Sequence, residues 1–543
     1  MTEVFIRRAS GLTRAIGPWD ALAYAFMTPC IMNPFFFIIW TNQAYPGVNM
    51  ILTTIPGVLL MFIPALLYIW FSIAMPRSGG EYIWGSRTIS PAWGFCAGLA
   101  LTIVGASWAG SSTFVAQSWG FNMALRDIAI WQSGSLVAAK THSLWLLADT
   151  LDTVGWLTVL CSLWLLVEFL IMWKGARAAM YFSWFSVITA TISLLSFVVG
   201  VLASGGLPVF IEKFNAMSGT TYQAVLDAAE AGGWPVRAYD INMSLGAGST
   251  FVALNTLGST YTANIMGEVK EVKKSSILAM LGALVLFLIY WVIFYSIAYW
   301  GFGGHFWAAI AYFVNTFGAV GAGAGTWEGW PFGNVFTAPN FMLVFLNPAA
   351  AAVTSLMAAF SWISCAMGEA FGPVRNIFAY SFDRVLPTFF AKTDRKGSPW
   401  TAVLLGWIIA WVFLFVYFYQ GTWVAYTTLA WFFAWVIVGA IGMTFPYTSR
   451  GKSIFEKSPE IVKKKIGGVP LIFIFGLLTF LVSGWYCYNT IVPFLLGLAS
   501  AFYLWVTVIM FVLPSFVIYY ISRAYYKSKG IPMELQFKEI PPD

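Results

Sequence analysis

Trp19-Asp-Ala-Leu-Ala-Tyr-Ala-Phe-Met-Thr-Pro-Cys-Ile-Met-Asn-Pro34 is apolar over most of its length, yet two prolines fall where a membrane-crossing helix would run. Pro29 and Pro34 lack the N–H that would bond the carbonyls of Ala25 and Cys30. In lipid a bare carbonyl is costly, so such a break persists only where protein, ligand or ion satisfies it. A second stretch has the same character: Phe251-Val-Ala-Leu-Asn-Thr-Leu-Gly258-Ser-Thr-Tyr261. Asn255, Thr256, Gly258, Ser259 and Thr260 do not suit a lipid-facing helix, and Gly258 tolerates unwinding.

Around these stretches the composition leaves little choice of solvent. Of 543 residues, 59% are hydrophobic and 9% charged. Soluble domains carry about 25% charge, so a soluble enzyme is excluded. Aromatic residues make up 18%, and the 28 Trp suit membrane interfaces. Met1 to Gly17 is short and basic, without the apolar core of a cleaved signal peptide. The five cysteines (Cys30, Cys96, Cys161, Cys365, Cys487) fall in apolar runs and read as small core residues, neither disulfides nor metal ligands. His142 and His305 are far apart, so no zinc site is expected and no cofactor is called for.

A span needs about 20 mostly apolar residues. Twelve candidates qualify: 19–41, 50–75, 92–119, 154–173, 179–203 and 246–267, then 276–300, 345–372, 401–419, 423–446, 469–488 and 491–521. They are called spans 1 to 12 below. With both termini on one side, 25 of the 29 Lys and Arg fall on that side, leaving Arg126, Lys140, Lys213 and Arg237 opposite. Lys and Arg stay cytoplasmic, so both termini are expected inside and the chain in the plasma membrane. The net charge of +7 then reflects topology and not a nucleic-acid footprint. Three long connections (120–153, 204–245 and 301–344, with glycine-rich Gly318–Gly325) lie outside; pieces such as Tyr222–Glu230 can form short capping helices.

Spans 1 and 6 open two five-span sets that cross the membrane in opposite senses. Interrupted spans at matching positions of inverted halves point to the substrate site of a secondary transporter. No HExxH, no GxSxG in a span and no paired intramembrane aspartates suggest an intramembrane enzyme.

Three patches resemble the amino acid–polyamine–organocation (APC) permeases. Pro76-Arg-Ser-Gly79-Gly80-Glu-Tyr82, followed by Pro91 and Gly94-Phe95, is similar to the family's P-x-S-G-G-x-Y loop. Gly258 precedes Gly267-Glu268-Val-Lys270 at the family's spacing between the unwound glycine and its G-E-x-K motif. Arg375-Asn-Ile-Phe-Ala-Tyr-Ser-Phe-Asp383-Arg384-Val-Leu-Pro387 is close to the family's R…ARDG-x-LP segment. The resemblance covers spans 1–10; spans 11 and 12 match only in number.

It implies an all-α polytopic membrane protein with 12 transmembrane helices, a leucine-transporter-like (LeuT-like) 5+5 inverted repeat over 19–203 and 246–446, two further helices over 469–521, and a cytoplasmic tail from 522 to 543. Substrate would be held at the breaks, N–H groups taking a carboxylate and carbonyls an amine, as half-helix dipoles favour. The implied substrate-binding set is Met27, Thr28, Pro29, Cys30, Val104, Gly105, Trp108, Leu254, Asn255, Thr256 and Gly258. One departure stands out: the family's G-x-G of helix 1 falls on Ile31 and Asn33, with prolines as the breaker, which puts carboxylate capture by helix 1 in question.

For coupling to H+ or Na+ the candidates are Glu369, Ser361 and Ser364. Glu369 is either a proton carrier or the structural partner of Arg375 or an interfacial lysine. Relatives coupled to sodium place a hydroxyl pair in these turns of span 8, but Cys365 is a poor sodium ligand. Some proton-driven relatives carry a lysine in helix 5, and Tyr181 to Leu202 contains neither Lys nor Arg. Glu168 is expected to pair with Lys174, and Asp20 to cap span 1. Gly79, Gly80, Glu268, Arg375 and Asp383, with Arg77, Arg87 and Arg384, are the candidate inner gate and loop. The expected function is secondary active transport of amino acids across the plasma membrane by alternating access, spans 1 and 6 rocking against 3, 4, 8 and 9. The alternatives are an amine or polyamine carrier and a non-transporting amino acid receptor. The expected partners are a small-molecule substrate, H+ or Na+, and the lipid bilayer, with no obligate protein.

Overall fold

The computed structural model describes residues 11–317, 332, 335–395, 397–495, 501–538 and 540. These are almost entirely helical; one two-stranded hairpin pairs Lys465–Ile466 with Val469–Pro470. Among the described residues nine helices are long and apolar enough to cross a membrane. A tenth is reached when Leu429–Thr444 is counted with Ser449–Lys457, which bends away by 73°. The chain is therefore a multi-pass membrane protein.

The two expected spans outside that count are the two expected to be broken. Span 1 is a pair of helices, Pro18–Met27 and Pro34–Ala44. Span 6 is a short helix, Ala247–Leu254, followed by a 3-10 helix, Leu257–Glu268. Twelve residues is long for a 3-10 helix, whose runs usually stop at three or four. Neither half of either span could cross a bilayer alone.

Other elements outrun their expected bounds. Span 3 continues through a π-helical stretch at Val115–Phe121 into Asn122–Ser133, beyond the expected end at 119. Span 8 runs Pro348–Phe382, ten residues beyond the expected 372, because Pro373 is absorbed within the helix. The connections on the far side are partly helical, with Ser143–Leu151, Leu207–Met217, Tyr222–Ala231 and Gly304–Phe317. Gly318–Gly325 lies outside the described residues.

Span 8 is the centre of the bundle. It packs against spans 3, 5 and 9, while the first half of span 1 lies along span 7 and span 2 lies on span 7 as well. Spans 10 and 11 meet where Gly439, Gly442 and Gly476 bring the two backbones together, a small-residue contact that suits packing in lipid.

Charge sorts by end. The N-terminal segment joins the end of span 6, Ala15 and Ile16 donating to the Glu268 carbonyl and Lys270 donating to Ile16. The C-terminal helix reaches the same end, Ser522 donating to the Val385 carbonyl at 2.8 Å. At the opposite end three of the four expected cations have local partners. Arg126 pairs with Asp149 and Asp152, Arg237 pairs with Asp227 and Glu230, and Lys213 donates to the Leu346 carbonyl.

Candidate functional site

The break in span 1 begins after Met27. Thr28 still closes the helix, donating both its N–H and its hydroxyl to the Tyr24 carbonyl. Cys30 then turns into the left-handed region at φ 63°, which an L-residue adopts only at a cost. Three carbonyls of the break find partners. Cys30 accepts from the Asn33 N–H at 3.1 Å, Pro29 from Asn33 Nδ2 at 3.0 Å, and Ile31 from Trp291 Nε1 on span 7 at 3.1 Å.

The break in span 6 satisfies itself instead. Asn255 and Thr256 N–H groups bond the Val252 and Ala253 carbonyls. Hydroxyls of Thr256, Ser259, Thr260 and Thr262 each donate to the carbonyl three residues back, at 2.8–3.0 Å. This is why a run of Ser and Thr is tolerated there while fully buried.

The two breaks touch. A Cβ on Gly258 would meet the Pro29 nitrogen and the Thr28 backbone, so only glycine allows this approach. Asn33 Nδ2 also donates to Asn255 Oδ1 at 2.8 Å, joining break to break. The side chain standing where the resemblance led to a glycine is thus the bridge. Span 8 closes the site from the third side. Gly368 receives Met27 and Thr28, Gly372 receives the ring of Tyr261, and Tyr24 donates to the Gly368 carbonyl at 3.1 Å. On span 3, Gly105 lies against Tyr261, the Glu369 carbonyl and Pro373, and Tyr261 donates to the Leu101 carbonyl at 2.6 Å. Val104 is buried beside it, while Trp108 and Leu254 are half-buried.

Three expectations about side chains fail here. Cys30 and Cys365 are joined in a disulfide, their Cα atoms 5.2 Å apart across a sequence separation of 335, so they are not simple core residues. An apolar run says nothing of what packs against it, and the folded break brings Cys30 onto span 8. The other three cysteines are free thiols. Glu369 does not pair with Arg375. Its Oε2 accepts the Ser112 hydroxyl at 2.9 Å, and among the described residues it makes no ion pair. Glu168 likewise makes no pair with Lys174 among the described residues; it is buried, with its Oε1 lacking a hydrogen bond. Ser361 faces Ser186 on span 5 at 3.4 Å, and Ser364 bonds its own Phe360 carbonyl. Asp20 accepts from the Gly17 N–H and from Trp184 Nε1.

The end of the bundle met by residues 15–16 and by Ser522 holds two buried ion pairs. Arg375 holds Glu268 through two nitrogens, at 2.7 and 3.1 Å, and Arg87 meets Asp383 at 2.6 Å, all four side chains buried. Gly79 and Gly80, both at positive φ, turn the chain so that the Gly79 N–H reaches the Asn264 carbonyl. Asn264 in turn donates to Glu81 at 2.9 Å and to Asn376 at 2.7 Å. Burial raises the Glu81 carboxyl to about 7, against the opposing hydrogen bond from Asn264.

The sequence matches a known family. A model of the amino acid permeases fits residues 16–512. The chain belongs to the amino acid permease family. No curated protein matches it. Within this permease the sequence located both breaks and Gly258, and it singled out Glu268, Arg375, Arg87 and Asp383 without pairing Glu268 with Arg375. It missed Ser112, Asn264, Tyr24 and Trp291, whose roles arise from packing across spans. Asn33 gave one signal, an amide in an apolar run beside a proline.

Proposed function

We propose that this permease is a secondary active transporter that carries amino acids across the plasma membrane by alternating access. It has twelve spans with spans 1–5 and 6–10 as inverted repeats, and both termini are cytoplasmic. The observation that carries this reading is the contact of the two breaks, Gly258 against Pro29 and Asn33 on Asn255, at the level of span 8 where Glu369 is buried. The Glu268–Arg375 and Arg87–Asp383 pairs would then close the cytoplasmic side. Opening inward would separate them and admit water to four buried charges. Coupling to H+ through Glu369 fits its burial and its single hydroxyl partner. Sodium fits less well, since the neighbouring Cys365 offers a disulfide sulfur where an oxygen ligand is wanted.

A second reading has an observation of its own. Asn33 fills the position that would take a carboxylate, and Glu369 lacks a cationic partner among the described residues. An amine or polyamine would leave Asn33 in place and bring the missing positive charge. Purified protein in liposomes separates the two. Saturable uptake or exchange of an amino acid is expected; uptake of amines alone, lost in Glu369→Gln, would favour the second reading. Binding without flux would identify a receptor.

A further inference from the structure

We propose that, once the Cys30–Cys365 bond is opened, Cys30, Cys365 and Glu369 form a binding site for one thiophilic divalent cation. The two sulfurs and a Glu369 carboxylate oxygen lie within 4.8 Å of one another, and all three residues are buried. Cys365 and Glu369 are four residues apart on one continuous helix, which places their side chains on the same face one turn apart. Cys30 comes from the opposite wall, presented by the left-handed turn of the span 1 break. Two thiolates sharing a tetrahedral ion at metal–sulfur distances of about 2.3 Å stand about 3.8 Å apart, a small separation for sulfurs that now touch. The carboxylate is already oriented by the Ser112 hydroxyl, whose oxygen lies 4.0 Å from the Cys30 sulfur. Ser112 is therefore the outer partner that a ligating carboxylate needs.

The donor set decides which ion fits. Two sulfurs and one carboxylate oxygen select Zn2+ or Cd2+ over Mg2+ and Ca2+, and leave a fourth tetrahedral position open. Two thiolates and a carboxylate would also be three uncompensated charges in an apolar interior, and a divalent cation offsets two of them. Opening the disulfide takes two electrons and two protons from a dithiol reductant, which closes to its own disulfide. Metal binding then releases the two thiol protons. Disulfide and metal are thus mutually exclusive bridges between the same two elements, the break of span 1 and span 8. The proposal does not depend on what the protein transports.

The test uses full-length protein in detergent, reduced with a dithiol that is then removed without air, and titrated with Cd2+ alone. One Cd2+ per chain is expected, with the ultraviolet absorption of Cd–thiolate bonds, and no such binding in the oxidised protein. Cys30→Ser/Cys365→Ser should abolish the absorption. Ser112→Ala should keep it and weaken the affinity roughly tenfold, and Glu369→Gln should weaken it further. Equal Cd2+ absorption in the oxidised protein or the double variant would place the metal on Cys96, Cys161 or Cys487 and overturn the proposal. So would an absence of binding when mass spectrometry shows Cys30 and Cys365 free. The comparison of oxidised with reduced wild type needs no variant to fold.

Discussion

Spans 1 and 6 are both interrupted, but different physics holds each interruption in shape. Span 1 is broken by proline, and it is held partly from outside: Trp291 on span 7 meets the Ile31 carbonyl and a disulfide ties Cys30 to span 8, while the Asn33 side chain meets the Pro29 carbonyl. Span 6 is broken without proline, and its own hydroxyls return to its own carbonyls along a 3-10 helix. Its strong outside anchor comes at the end, where Glu268 meets Arg375. A break supported by its neighbours changes shape when they move. A break that supports itself depends on its surroundings mainly at its anchor.

The largest effect should therefore come from that anchor. Arg375→Met leaves Glu268 buried and unpaired, and should cost about 3–5 kcal/mol of unfolding free energy in detergent. Glu268→Gln added to it should recover much of the loss, because the stranded charge is gone. A single variant as stable as wild type would show that span 6 needs no anchor. Next comes Asn33→Ala, which strands the Pro29 carbonyl and the Asn255 side chain and should cost about 1–3 kcal/mol. Trp291→Phe leaves the Ile31 carbonyl unmet, and a loss of about 1–2 kcal/mol is expected.

The self-supported break should be more tolerant. Thr256→Val removes one hydroxyl bond to a carbonyl that the Thr256 N–H already serves, so about 0.5–1 kcal/mol is expected. A loss as large as that of Asn33→Ala would erase the contrast between the spans. The smallest effect concerns pH. Glu81, which accepts from Asn264 on span 6, has its carboxyl raised to about 7 from 4.5. The folded state therefore binds the proton more tightly than the unfolded one. Its contribution is complete below about pH 4.5 and is lost as pH rises through about 7. Glu81→Gln should flatten the decline of thermal stability between those values, leaving the melting temperature at pH 5 nearly unchanged.

What could be read in the sequence follows the same division. Proline and glycine act on their own backbone, so both breaks could be located from Pro29, Pro34 and Gly258 alone. The hydroxyl run of span 6 was likewise visible, because its bonds stay within three residues. What could not be read depends on partners hundreds of residues away: Cys30 with Cys365, Asn33 with Asn255, and Ser112 with Glu369. Glu369 and Arg375 stand six apart in sequence, which favoured pairing them; the end of span 6 supplies Glu268, and Arg375 turns to it instead.

The central claim is that substrate sits where the two breaks meet. It is tested most directly by reducing the protein and following alkylation of Cys30 by peptide mass spectrometry, with and without the amino acid that uptake selects. Saturating substrate should slow modification of Cys30 while leaving Cys487, outside the site, unaffected. An unchanged rate at Cys30 under saturating substrate would contradict it.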